Sequence, residues 1–146
     1  MVEMAFIFSL LVMLLVGVVT SAIAFGQKNS IENAAREASR YAATLPDAWD
    51  NLNVVVSVAV EAAQGDLDAD VDGQYICVAH TGHNKKLVVV GGVPTGPSDG
   101  TCYDDGLTDS RVQVETRRQS QINAALFSVD LNLNATASAR YERAES

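Results

Sequence analysis

The acidic run DADVDG, residues 68–73, has the residue types and spacing in this chain that look most like a chemical site. Alternate carboxylates followed by glycine match the first half of a calcium loop, in which oxygen ligands fold round a hard cation. The bidentate glutamate that closes an EF-hand loop is missing, because Ala79 holds that position. Two interpretations stay open: a solvated acidic turn, which is the commoner case, and a calcium site with Asp68, Asp70 and Asp72 as ligands.

Two cysteines, Cys77 and Cys102, are the next candidates for chemistry, and they lie 25 positions apart without a CxxC motif or a catalytic-looking neighbour. In an exported domain such a pair most simply forms one disulfide. Closing a loop of that size contributes roughly 3 kcal/mol to stability in the chain-entropy model.

No residue pattern in the sequence supports catalysis or nucleotide binding. His80 and His83 have no cysteine or carboxylate at ligand spacing, so we predict surface histidines. Neither a GxSxG nucleophile motif nor a GxGxxG or GxxxxGK[ST] phosphate loop occurs. The net charge of −8 argues against a nucleic-acid partner. The sequence therefore predicts a protein that is not an enzyme and has no cofactor other than the candidate calcium.

The first long element is an apolar stretch, residues 4–25, which has no charged residue and follows Glu3 directly. As a helix it spans ~33 Å, roughly one hydrocarbon core. A helix that is apolar on every side must be buried in lipid or by copies of itself. The simplest interpretation is a permanent membrane anchor, and the alternative is a helix that is finally buried by copies of itself.

The helical period continues through residues 26–45 and becomes amphipathic, and Pro46 ends it. We therefore predict one unbroken helix of ~60–65 Å. Its apolar stripe consists of residues at spacings of three and four, namely Ile31, Ala34, Ala35, Ala38, Tyr41, Ala42 and Leu45.

The remainder predicts a small α+β domain. Asp47 as N-cap and Gly65 as terminator favour a second helix over residues 48–64, although its β-branched interior is also compatible with a strand. Strands are predicted over residues 74–80, 87–90, 111–117 and 128–141, with residues 91–110 as a long turn-like connection. The last strand alternates apolar and polar residues, which is typical of a sheet with one buried face. The stripe of the N-terminal helix is the expected cover.

The start VEMAFIFSLLVMLLVG, followed by IENAAREASRYAA, resembles the N-terminal signature of TadE-like pilins and pseudopilins, the type IVc (tight-adherence) branch of the type IV pilin superfamily. The end, LNLNATASARYE, resembles the family's small-residue final strand, so the resemblance covers residues 1–45 and 111–142. The family's glutamate is usually the fifth mature residue and here it is the third, without a leader before it. Either the sequence starts late or processing differs. The residues that match the N-terminal pattern are Glu3, Ala34, Ala35, Arg36, Glu37, Ala38, Arg40, Tyr41 and Ala42.

The resemblance implies a pilin-like fold in three parts: a hydrophobic helix (residues 1–25), the amphipathic half of the same helix (26–45) and a globular head (46–146). It implies a prepilin held in the cytoplasmic membrane, cleaved by a prepilin peptidase and extracted by an assembly machine into an extracellular pilus of identical subunits that serves adhesion. In such a filament Glu3 is expected to pair with a neighbour's N-terminal ammonium, and Gly17 to permit close helix packing. Two alternatives are a minor pseudopilin that primes or caps a filament, and a membrane-anchored binding domain. The residues predicted to serve assembly are Glu3, Gly17, Ala34, Ala35, Ala38 and Tyr41.

Overall fold

The computed structural model describes residues 2–47, 49–67, 73–107, 109–124 and 127–141, and within these ranges it leaves out the side chains at 2, 3, 122–124, 127 and 129. Two helices precede five strands, which form one antiparallel sheet in the order β3-β2-β1-β4-β5. This is the α+β arrangement expected from the sequence. The elements are α1 Val2–Thr44, α2 Leu52–Ala62, β1 Gln74–His80, β2 Lys85–Val90, β3 Val93–Asp99, β4 Arg111–Ala124 and β5 Phe127–Arg140, with a short 3-10 turn, Thr81–His83, after β1.

Helix α1 is unbroken over 43 residues, which corresponds to a length of ~65 Å. It ends two residues before Pro46, as the sequence predicts. The predicted stripe forms the contact with the rest of the chain, except that Tyr41 is 38% exposed and Leu45 is half-buried. The stripe members that are fully buried are Ile31, Ala34, Ala35, Ala38 and Ala42.

The second element is a helix and not a strand, but it is shorter than predicted. It begins at Leu52, so Asp47 is not its N-cap, and Asn51 takes that position without a side-chain cap bond. The Asp50 amide donates to the Asp47 carbonyl at 3.1 Å and so closes a turn before the helix. Lys85 holds the Asp50 carboxylate at 2.8 Å, which keeps this turn against the sheet.

Strand β3 lies where the sequence predicts only a turn-like connection. Its residues are all exposed and include Pro94 and Pro97, which cannot donate to a ladder. Prolines are compatible with this strand because it lies at the sheet edge, where a proline nitrogen, which has no hydrogen to donate, can face solvent. Its pairing with β2 shifts register between Lys86 and Val88. Strand β4 is also longer than predicted and ends at Ala124.

The core lies between α1, α2 and one face of the sheet. Alternate residues of β1 and β4, among them Ile76 and Val114, are fully buried against the helices. The alternation predicted for β5 is confirmed where its side chains are described: Ala135 is buried, whereas Asn134 and Thr136 are exposed. The sheet therefore has the helix-covered face expected from the sequence.

Candidate assembly surface

The first half of α1 projects from the head with its apolar side chains uncovered. Met4 and Phe6 are each 73% exposed, and no residue of the most apolar window is buried. Among the described residues, α1 is the one helix long and apolar enough to cross a membrane. The exposed large apolar residues of this half are Met4, Phe6, Ile7, Phe8, Leu10, Leu11, Val12, Met13, Leu14, Leu15, Val18, Val19, Ile23 and Phe25.

Three hydroxyl side chains in this half are satisfied by the helix itself. The hydroxyl of Ser9 donates to the Phe6 carbonyl at 2.9 Å, and that of Thr20 donates to the Val16 carbonyl at 2.9 Å. The Ser21 hydroxyl donates to the Gly17 carbonyl at 2.8 Å. A hydroxyl that bonds back one turn needs no water, so the segment suits either lipid or the apolar surface of another helix.

Two of the predicted assembly residues lie in this half. Nothing lies within 4 Å of the position that a Cβ would take on Gly17, so a neighbouring helix could approach the backbone there. Glu3 lies in the first turn of α1, and its side chain is outside the described set. The assembly roles of both residues stay predictions.

The other four predicted assembly residues lie beside the head. Ala34, Ala35 and Ala38 are brought together on the inner side of α1, where each is fully buried within the subunit. Tyr41 lies outside this row of three alanines, and 38% of its surface is exposed. A role of the alanines in subunit contacts stays a prediction, and within one subunit their small size lets α1 lie close to the sheet.

An aromatic cluster joins the end of α1 to the sheet, and it changes the prediction for the histidines. His80 is fully buried, so it is not a surface residue, and its Nδ1 accepts from the His83 amide at 3.2 Å. The Trp49 ring stacks on His83 with ring centroids 4.0 Å apart. The Tyr141 hydroxyl contacts the Leu45 and Pro46 carbonyls at 3.0 and 2.7 Å. No sequence spacing indicates this cluster, because its members come from distant segments.

The predicted disulfide is confirmed: Cys77 in β1 is bonded to Cys102. Cys77 lies on the face of β1 opposite the helices, since its neighbours Ile76 and Val78 belong to the helix-covered core. The disulfide therefore fastens the connection between β3 and β4 over the outer face of the sheet.

Polar contacts hold the same connection at further points. Gln113 donates to the Asp105 carboxylate at 3.0 Å and accepts from the Cys102 amide at 3.3 Å. Arg111 binds Asp105 at 3.2 Å and also binds Asp109. The hydrogen bond from Gln113, the amide of Leu107 and the Arg111 charge together hold the pKa of Asp105 below its usual range. These groups are occupied in fixing the connection in place.

The candidate calcium ligands Asp68, Asp70 and Asp72 lie outside the described residues. In the part of the chain that is described, no three His, Cys, Asp or Glu side chains cluster as metal ligands would. The calcium site therefore stays a prediction from the sequence.

Comparison with known proteins bears on the same helix. Residues 1–40 match the family model of the TadE-like protein. The N-terminal segment is TadE-like. This confirms the resemblance noted for the N-terminal residues and indicates a component associated with the Tad pilus, whereas the resemblance of residues 111–142 stays a prediction. No curated protein and no solved structure matches the chain. A TadE-like N-terminus with an exposed apolar helix fits a membrane-anchored protein exposed at the cell surface.

Proposed function

We propose that this chain is a structural pilin subunit that polymerises through the apolar half of α1 into an extracellular Tad-type pilus, which serves surface adhesion. The observation that carries the proposal is the uncovered apolar surface of residues 4–25, on a helix that matches the TadE-like family. Before assembly this surface is covered by lipid. In the filament it is covered by the helices of other subunits, with the acidic heads outside. The proposal includes no catalytic role.

The energy of burial explains why such a helix has these two states. Fourteen large, mostly exposed apolar side chains of this half would gain on the order of 20 kcal/mol if they moved from water into an apolar environment. Between lipid and neighbouring helices the difference is far smaller and depends on packing. The exchange is therefore feasible, provided that an assembly machine drives the extraction.

The continuity of α1 favours a pilin over an anchored binding domain. A binding domain on a membrane anchor is expected to have a flexible linker, whereas α1 runs without a break from the apolar half into the core of the head. The Ser30 hydroxyl also donates to the Ala63 carbonyl at 2.8 Å, which ties α1 to the end of α2 at the edge of the head. An unbroken helix that is bonded to the head in this way suits a filament subunit.

Cysteine cross-linking tests the proposed surface. Leu14→Cys places a thiol on the apolar half, where Leu14 is 63% exposed, and Leu107→Cys is the matched control on the head, where Leu107 is 55% exposed. After mild oxidation of sheared surface material, we expect cross-linked oligomers from the first variant and few from the second. Equal cross-linking at both positions would contradict a filament bundled through α1. Mass spectrometry of the Cys77–Cys102 peptide checks that the native disulfide has formed.

Glu3 is tested separately, because a carboxylate at the edge of a membrane helix is costly and tends to serve a function. If it pairs with a neighbour's ammonium, Glu3→Gln is expected to leave the chain in the membrane fraction, while Glu3→Asp retains some assembly. Normal filaments from Glu3→Gln would remove the ion pair from the mechanism but not the filament. The share of this chain in sheared material separates a major pilin from a minor pseudopilin.

A further inference from the structure

The two edges of the sheet, β3 and β5, differ in their capacity to accept a further strand. At the β3 side, the amide of Gly91, directly after β2, donates to the Gln74 carbonyl of β1 at 3.3 Å. Because backbone groups alternate in direction along a strand, the residues of β2 that face β3 are the partners of Val93, Thr95 and Ser98. Pro94 and Pro97 lie between these residues and therefore point outward, where they have no amide hydrogen to donate. The β3 edge is thus blocked against another strand.

The β5 edge has no such obstacle. The amide of Tyr141, directly after β5, donates to the Ser110 carbonyl at 3.1 Å, so the odd-numbered residues of β5 bond to β4 and the even-numbered residues point outward. Strand β5 contains no proline, so every outward residue offers one amide and one carbonyl. Among the described residues, β4 is the one strand that pairs with β5, which leaves this edge open. The outward residues of its second part are all exposed, namely Asp130, Asn132, Asn134, Thr136, Ser138 and Arg140.

Burial shows that α1 does not close this edge. On the helix-covered face, Val112 and Val114 of β4 are fully buried. On the same face of β5, Ala135 is buried, whereas Leu131 and Leu133 are only half-buried. Burial therefore falls from β4 to β5, as expected if solvent reaches β5 from its outer side. A further strand can approach β5 from that side.

The charges of the open edge are complementary to a second copy in one antiparallel register. When Asp130 lies opposite Arg140 of the second copy, even-numbered residues face even-numbered ones, so the outward amides and carbonyls of both strands meet. The two-fold symmetry of the pair forms this charge contact twice. Gln121 Nε2 already donates to Asp130 Oδ1 at 3.0 Å, and a carboxylate can also accept from a guanidinium. Parallel pairing in register would instead place Asp130 beside Asp130, which is unfavourable.

The uncharged residues fit the same register. On the outer face, polar residues meet polar residues, because Asn132 lies opposite Ser138 and Asn134 lies opposite Thr136. On the helix-covered face, each leucine lies opposite an alanine, and Ala135 lies opposite its own copy at the symmetry axis. The leucine and alanine pairs are Leu131 with Ala139 and Leu133 with Ala137. A large side chain therefore always meets a small one, which suits close packing across the new pair of strands.

We propose that the open edge of β5 binds a second copy of this chain in this antiparallel register, so that the two heads share one continuous sheet. The direction of β5 fixes how the two copies are oriented. Ser120, which pairs with Leu131, contacts Gln27 Oε1 at 2.7 Å, whereas the Tyr141 hydroxyl after β5 contacts the Leu45 carbonyl at 3.0 Å. Strand β5 therefore runs in the same direction as α1. In the antiparallel pair the two α1 helices consequently point in opposite directions.

This orientation determines where the pair can form. Subunits held in one membrane, or extracted from it into one filament, all point the same way and cannot pair through β5 in this register. The pairing therefore joins subunits of two filaments that lie side by side in opposite directions. The pairing of two heads does not depend on the proposed function, whereas its place between filaments rests on that function.

Cysteine pairs test the register on the full-length chain in detergent micelles, where the direction of each copy is free. Asn132→Cys and Ser138→Cys are prepared separately and oxidised mildly, alone and as an equal mixture. In the proposed register these positions are ~5.5 Å apart between Cα atoms, within the reach of a disulfide. Two copies of position 132 are ~20 Å apart. The matched control is a mixture of Asn132→Cys with Asn134→Cys, whose thiols lie ~14 Å apart.

We expect severalfold more cross-linked dimer from the mixture of the variants at positions 132 and 138 than from either variant alone or from the control mixture. Equal cross-linking in all samples would indicate random collisions, and no cross-linking in any sample would mean that the edges do not pair. Either result would overturn the proposal. Because micelles contain no filaments, this outcome is independent of the filament hypothesis. Mass spectrometry checks that the native Cys77–Cys102 disulfide is intact.

Charge reversal gives a second test that needs no new cysteine. Asp130→Arg places like charges opposite each other at both ends of the pair, so we expect the dimer fraction in sedimentation velocity to fall severalfold. Adding Arg140→Asp to this variant restores the complementarity and is expected to restore the dimer. Circular dichroism confirms that each variant is folded. Equal dimer fractions for the wild type and both variants would overturn the proposed register.

Discussion

Replacement of Ala38 by leucine tests whether the alanine row of α1 is part of the subunit core. Ala38 is fully buried in the core between α1 and the rest of the head, so leucine adds three carbon atoms at a position closed to solvent. Overpacking of this kind destabilises a protein by about 1–3 kcal/mol. For a domain of the size of this head, each kcal/mol lowers Tm by about 4–8 °C. Helix propensity is almost unaffected, because alanine and leucine are both strong helix formers.

The assay is the thermal melt of the full-length chain in detergent micelles, followed by circular dichroism. Glu37→Leu is the matched control, because Glu37 is the preceding residue on α1 but is exposed. We expect a clear fall in Tm for Ala38→Leu. For the control, we expect the free energy of unfolding to change by no more than about 0.5 kcal/mol. An unchanged Tm for Ala38→Leu would refute the reasoning. If such a variant also failed to form filaments, Ala38 would instead belong to a contact between subunits.

Three further predictions concern the head. Replacing both Cys77 and Cys102 by alanine is expected to lower the free energy of unfolding by about 3–4 kcal/mol, because the cross-link closes a long loop. Urea denaturation measures this loss, and an unchanged unfolding midpoint would contradict the prediction. The lowered pKa of Asp105 stabilises the fold above the ordinary carboxyl pKa of ~3.9, and this stability is lost as pH falls through the lower folded-state value. Asp105→Asn should therefore make Tm less dependent on pH in the acid range, and an identical dependence would be evidence against the role. If residues 68–72 bind calcium, the Tm of the full chain rises with calcium and falls with a chelator; no shift removes the calcium site.

The features that could be predicted from the sequence are those set by local periodicity. The long α1 follows from an uninterrupted helical pattern up to Pro46, and the apolar alternation identified the buried face of β5. The disulfide followed because Cys77 and Cys102 are the two cysteines of the chain. The apolar half of α1, which is the main part of the candidate site, could be predicted because it is an uninterrupted run of uncharged residues.

The features that were missed depend on contacts between distant segments. Asp47 is not used as a cap, because a turn precedes α2, and Asp50 of that turn pairs with Lys85, which is 35 positions away. Strand β3 was missed because its two prolines favour a turn over a strand. They are compatible with a strand at the edge of a sheet, and the edge position of β3 depends on how the whole sheet is assembled. His80 is buried because the rings of Trp49 and Tyr141 pack against it, and no local pattern predicts that.

The most direct test of the central claim, that the apolar half of α1 is a polymerisation surface, is electron cryomicroscopy of sheared cell-surface material, with the subunits identified by mass spectrometry. The account predicts helical filaments built from this chain, in which residues 4–25 of many copies bundle at the axis and the heads lie outside. The contrary result would be a chain found only in the membrane fraction, or filaments whose axis is formed by another protein.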